Sequence, residues 1–307
     1  MTYSSLKEML QKSLNAVILQ FFTQLHGSEE DTLKHMDDQH YLSKLGVQTA
    51  PQLRRQIYPL EYASPLPLQL SAQCNQSLES CLSQLAENFA QVCAFSESTQ
   101  YALSLPASTH SILRGVKPTV STGGHLGLQL SESALLHWLK LLNQAEAWPP
   151  AELLALPNSQ FKVKQCSTSS SLGLSPLGFI QHIHARSVGL LQVAHPSALK
   201  SSGDPTTTGL AFAAPEADVM MLESLDFETH KVIWALTHLV DGLYELSSHH
   251  TLGQRGYALS EAVYLWLKGI NLNSLAAVYP NLVLQAVRQS LKHLLESRLG
   301  CPAVESL

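Results

Sequence analysis

The chain has 307 residues (33.6 kDa), enough for one large domain or two of ordinary size, and its 45% hydrophobic content excludes wholesale disorder. Only 14% of residues are charged, so Ser, Gln, His and Asn must carry much of the solvation. Nineteen Lys and Arg against 24 Asp and Glu leave a net charge of −5, which excludes a general nucleic-acid sponge, because phosphate affinity comes from clustered cations. Five cysteines (Cys74, Cys81, Cys93, Cys166 and Cys301) form no C-x-x-C pair and are odd in number, which fits free thiols in a reducing compartment. The opening MTYSSLKEMLQKSLN places Lys7, Glu8 and Lys12 where a signal peptide needs an apolar run. No apolar stretch is long enough to span a bilayer, so the expectation is a soluble, cytoplasmic, globular protein with neither membrane nor DNA as a partner.

In chain order, residues 4–25 carry the first helix signal. Leu6, Met9, Leu10, Leu14, Val17, Ile18, Phe21, Phe22 and Leu25 recur at three and four residues, with polar residues between them. The acidic run HGSEEDTLKHMDD reads as a solvated loop. Pro51, Pro59, Pro65 and Pro67 then argue against helix propagation. A second amphipathic helix is predicted near 77–92, on Leu78, Cys81, Leu82, Leu85, Phe89 and Val92, with Cys74, Cys81 and Cys93 read as packing residues. Residues 100–130, rich in Ser, Thr and Gly, read as strands, and 131–144 as a helix capped by Ser131 or Ser133. From Trp148 to Gly173 the chain turns to Pro, Ser, Thr and Gln, the composition of a linker. Beyond it, helices are predicted near 176–192, 217–246, 257–278 and 281–299, interrupted by the turn-forming 195–209.

Motifs for chemistry are missing. The sequence has no Gly-rich phosphate cradle, no G-x-S-x-G elbow and no H-E-x-x-H. His182/His184 and His249/His250 lack a third ligand at metal spacing, so scattered histidines are the simpler reading. No catalytic residue, metal or cofactor is expected.

One segment stands apart. SPLGFIQHIHARSVGLL (175–191) resembles the opening helix of the DALR anticodon-binding domain of arginyl-tRNA synthetases, with Pro176, Gln181, His184, Ala185 and Arg186 on the family pattern. Phe179 and His182 stand where that pattern has tyrosines. KVIWAL (231–236), the helix carrying Tyr264 and Leu265, and the closing run with Ala286, Val287, Gln289, Leu291, Leu299 and Gly300 stay in step with the family. More faintly, EYASPLPLQLSAQ with SLESCLSQLAENFAQ, and TGGHLGLQLSESALLHWLKLL (122–142), look like the family's N-terminal additional domain. There His125 and Gly127 stand in place of a Phe and an Asn. The HIGH and KMSK signatures of the catalytic core are both absent.

The resemblance implies a mainly α protein, with a small α+β N-terminal domain (1–145), a linker (146–173) and an all-α DALR-type helical bundle (174–307). It implies a non-catalytic, arginyl-tRNA synthetase-like protein that contacts the anticodon stem-loop of tRNA, alone or beside a synthetase or other protein partner. The tRNA-binding residues it points to are Gln181, His182, His184 and Arg186. Arg288 and Lys292 form a further basic stripe at i, i+4, with His293 beside them. Later contact positions of the family fall on Ala276 and Leu307, and Gly127 stands where the family's D-loop-reading Asn would be. Residues 174–307 hold eight Lys and Arg against eleven Asp and Glu, a balance that does not predict tight RNA binding. The alternative is a protein-interaction scaffold that kept the bundle and lost RNA, in which Arg186 is a salt-bridged helix residue and the stripe a solvated face.

Overall fold

A computed structural model describes residues 5–26, 48–49, 60–94, 107–120, 123–144, 148, 173–194, 226–245, 247–270 and 277–305. The acidic run, Pro51, Pro59, Cys166, most of the linker and the turn-forming 195–209 lie outside them. The protein is mainly α with a small antiparallel sheet, and it divides into two compact units, Thr2–Trp138 and Leu139–Leu307. No helix among the described residues is long and apolar enough to cross a membrane.

The first unit opens with α1 (Leu6–His26), whose Leu6, Met9, Leu10, Leu14, Val17, Ile18 and Phe21 are all buried. It packs on α3 (Leu78–Ala94), where Phe89 and Leu85 complete the seam and Gln20–Gln91 and Gln24–Asn88 amide pairs hold its polar margin. Strands β1 (Gln48–Thr49), β2 (Glu61–Ser64), β3 (Val116–Val120) and β4 (Leu126–Leu130) form an antiparallel sheet in the order β1-β2-β4-β3. Leu126, Leu128 and Leu130 alternate inward along β4, the period of two that a half-covered strand requires. Cys81 and Cys93 are buried and Cys74 half-buried, all as free thiols.

Two corrections concern this unit. Helix α2 (Leu66–Cys74) forms where the prolines argued against one: Pro65 occupies its cap and Pro67 its first turn, where a missing N–H costs nothing. Helix α4 (Ala107–Arg114) occupies part of the region read as strands, burying Thr109, Ile112 and Leu113. Strands follow it only at β3 and β4. Helix α5 (Glu132–Leu142) runs across the boundary between the units.

The second unit is a four-helix arrangement of α6 (Pro176–Ala194), α7 (Phe227–Tyr244), α8 (His249–Gly269) and α9 (Val278–His293). Neighbours touch in the cycle α6–α8–α7–α9. Asp226 caps α7, its Oδ1 accepting from Thr229 N at 2.6 Å, and Ser248 caps α8 by accepting from Thr251 N. Helix α8 therefore starts about two turns ahead of the predicted 257 and ends at Gly269. In the core, the indole of Trp266 donates to Thr229 Oγ1 at 2.9 Å. A π turn, Leu294–Arg298, closes α9 and swings Arg298 inward, where Nη2 donates to the carbonyl of Leu243 at 2.5 Å. That carbonyl lies in the last turn of α7, among the acceptors a helix leaves without an intrahelical donor.

Candidate nucleic-acid interface

Helix α6 carries most of the candidate residues. Pro176 starts it with its fixed φ, and Ser175 receives the first turn, its Oγ accepting from Gly178 N and its carbonyl from Phe179 N. Phe179, Ile180, Ile183, Ser187, Val188 and Leu191 then bury a broad stripe. Phe179 meets the rings of Tyr257 and Tyr264 on α8 at 5.5 and 5.9 Å.

The candidates divide between two faces of this helix. Arg186 is exposed, and four residues before it His182 is half-exposed on the same side. His184 is two residues from Arg186, which at ~100° per residue places it about 160° around the helix. It is 1% exposed, and its Nδ1–H donates to the carbonyl of Val304 at 2.9 Å, leaving Nε2 buried without a partner. Gln181, three residues before it, donates through Nε2 to the carbonyl of Pro302 at 3.2 Å. Gln181 and His184 thus hold residues 301–305; His184 is shut from solvent, while Gln181 stays half-exposed.

Arg288 and Lys292 are half-buried on α9, close enough to His184 to bear on its charge. Burial, and then these two cations, lower the proton affinity of His184; its bond to Val304 and the carboxylate of Glu296 oppose them. His293, expected beside the stripe, instead packs its ring against Trp148 at 5.0 Å. Burial and then Arg298 bring its pKa down to about 4. Trp148 in turn donates to the carbonyl of Leu142 at 3.0 Å.

Three other described cations of the bundle are engaged. Arg255 Nη1 donates to the carbonyl of His238 at 2.9 Å and stands 3.7 Å from Glu245. Lys231 pairs with Glu228 at 2.7 Å and lies over the ring of Phe227, while Lys268 lies over Tyr264. Among the described residues of the unit, Arg186, Arg288 and Lys292 are left with no carboxylate within ion-pair distance. The salt-bridged alternative for Arg186 has no partner among them.

In the first unit, Gly127 on β4 faces a space already filled. A Cβ there would overlap Oε1 of Glu61 and Oγ1 of Thr119, which are joined by a 2.8 Å hydrogen bond. An Asn side chain there would require Glu61 and Thr119 to move, and a carboxylate over the position repels phosphate. Ala276 and Leu307 lie outside the described residues.

Sequence reasoning missed the seating of residues 300–305 on α6, although Gly300 followed by Pro302 was a visible sign that the chain turns there. Among the described residues, no group of three or more His, Cys, Asp or Glu could hold a metal ion. No protein-family model, curated protein or solved structure matches the chain.

Proposed function

We propose that this chain is a non-catalytic, cytoplasmic relative of arginyl-tRNA synthetases that binds tRNA through its C-terminal bundle, with the outward face of α6 as the primary contact. The observation that carries this reading is the exposed Arg186, on one face with His182 and with no carboxylate within ion-pair distance among the described residues. A guanidinium without a partner suits phosphate or a stacked base, and an imidazole one turn away adds a second stacking plane. Arg288 and Lys292 supply a further cationic patch on the α9 side. A synthetase or another protein is the second partner class this reading admits.

The test is fluorescence-anisotropy titration with total tRNA at low and then physiological salt. Arg186→Ala is expected to weaken binding about fivefold to tenfold, as loss of one charge-assisted contact does. Arg186→Lys should recover part of it. No saturable binding at low salt would overturn the reading.

The scaffold alternative has one observation in its favour. Val193, seven residues after Arg186 on the same face of α6, is 73% exposed. Equal binding by the wild-type protein and Arg186→Ala, together with loss of a protein partner in Val193→Asp, would favour it.

A further inference from the structure

The segment after the π turn is built as a fastening. Gly300 takes a φ of +62°, a conformation open to glycine at little cost, and Cys301 N donates back to the carbonyl of Leu295 at 2.9 Å. This reversal sends Cys301–Glu305 across α6, where no helix or strand continues it. Two hydrogen bonds, from Gln181 to Pro302 and from His184 to Val304, tie its backbone down. None of its own side chains is fully buried: Pro302 and Glu305 are exposed, and Cys301, Ala303 and Val304 half-buried.

We infer that Cys301–Glu305 form an acid-released strap, latched on α6 by Gln181 and His184, whose opening uncovers His184 beside Arg288 and Lys292. The latch closes best over a neutral imidazole: Nδ1–H can donate to Val304 in either form, and the penalty for charging falls on the other nitrogen. Its Nδ1–H is spent on Val304, so an incoming proton adds an N–H at Nε2, which lies in the interior with no acceptor. Arg288 and Lys292 face that imidazole from α9 and resist its charging, while Glu296 in the π turn favours it. Helix α8 packs on α6 through Tyr257 and Tyr264 against Phe179, and the strap's Glu305 is exposed. Opening gives Nε2 water to bond. The proton therefore binds the open form more tightly, and acid shifts the equilibrium toward it. The uncovered surface gains a third cation next to Arg288 and Lys292, so strap opening would regulate the tRNA contact; this consequence alone rests on the function proposed above.

Conformational exchange of residues 300–305 in the full chain, read from amide NMR shifts and relaxation, tests the strap, with the α7 resonances as the control for global unfolding. Between about pH 7.5 and about pH 5.5, opening is expected to increase severalfold in the wild type. His184→Asn keeps a donor near the Nδ1 position and cannot titrate; it should hold the strap and abolish the pH dependence. Gln181→Ala should raise opening about threefold to tenfold at both pH values and leave the dependence intact. Opening that is independent of pH in the wild type, or equally pH-dependent in His184→Asn, would overturn the inference. In parallel, a variant lacking residues 301–307 should bind tRNA more tightly than wild type near pH 6, where an uncovered imidazole carries charge. If no variant binds tRNA while exchange behaves as stated, the function reading fails and the strap stands.

Discussion

Two residues show how burial and crowding set chemistry locally. His293 is pinned against Trp148 with its proton affinity lowered, its pKa about 4 against an ordinary 6.5. The folded state then prefers the neutral ring, so stability is fully present above pH 6.5 and drains away as pH falls toward 4, where the unfolded chain binds a proton and the folded chain does not. Urea unfolding at pH 7 and pH 5 should therefore differ by up to about 2 kcal/mol more in the wild type than in His293→Phe. Gly127 gives the second test. Gly127→Ala should lower stability by about 1–3 kcal/mol, because Glu61 and Thr119 must move, and adding Glu61→Ala should restore part of it in the same thermal melt.

At the scale of elements, capping decides where helices begin more sharply than periodicity does. The apolar spacing of α8 is clear only from Tyr257 onward, yet the helix starts at His249 because Ser248 satisfies its first turn. Asp226→Ala and Ser248→Ala should each cost ~1 kcal/mol and lower the melting temperature by about 2–4 °C, measured by calorimetry or circular dichroism. Helices α1, α3, α5 and α6 were legible from the sequence because each spends several turns burying one stripe. Helix α4 was not: two turns are too short for a period to show among Ser and Thr, although Pro106 just before it is a helix-start signal. Strand β2 escaped for a similar reason, its four residues being held by pairing with β4 rather than by a pattern of their own.

For the whole molecule, the net charge of −5 limits any RNA contact to a few local cations. If Arg186, Arg288 and Lys292 each meet a phosphate, a plot of log affinity against log salt should have a slope of about −2 to −3. A steeper slope would require cations beyond these three. Several described charges of the bundle are spent on itself: Arg298 and Arg255 serve helix carbonyls of α7, and Lys231 neutralises Glu228. An arginine's use in holding a fold and its use in holding a ligand read alike in one dimension.

The amino-acid sequence by itself determined the helix-rich class, the free thiols and the cluster Gln181, His182, His184 and Arg186 on one segment. These follow from composition and short-range spacing, which need no knowledge of what lies opposite. Only the tertiary structure decided how that cluster divides. Residues two apart on a helix look in nearly opposite directions, so Arg186 faces out while His184 is sealed beneath a segment 120 residues further along the chain. It likewise decided that Gly127 sits under a carboxylate and that Arg298 is buried. Such outcomes depend on partners distant in sequence, and hydrogen-bond satisfaction and desolvation act between groups that only the folded chain brings together.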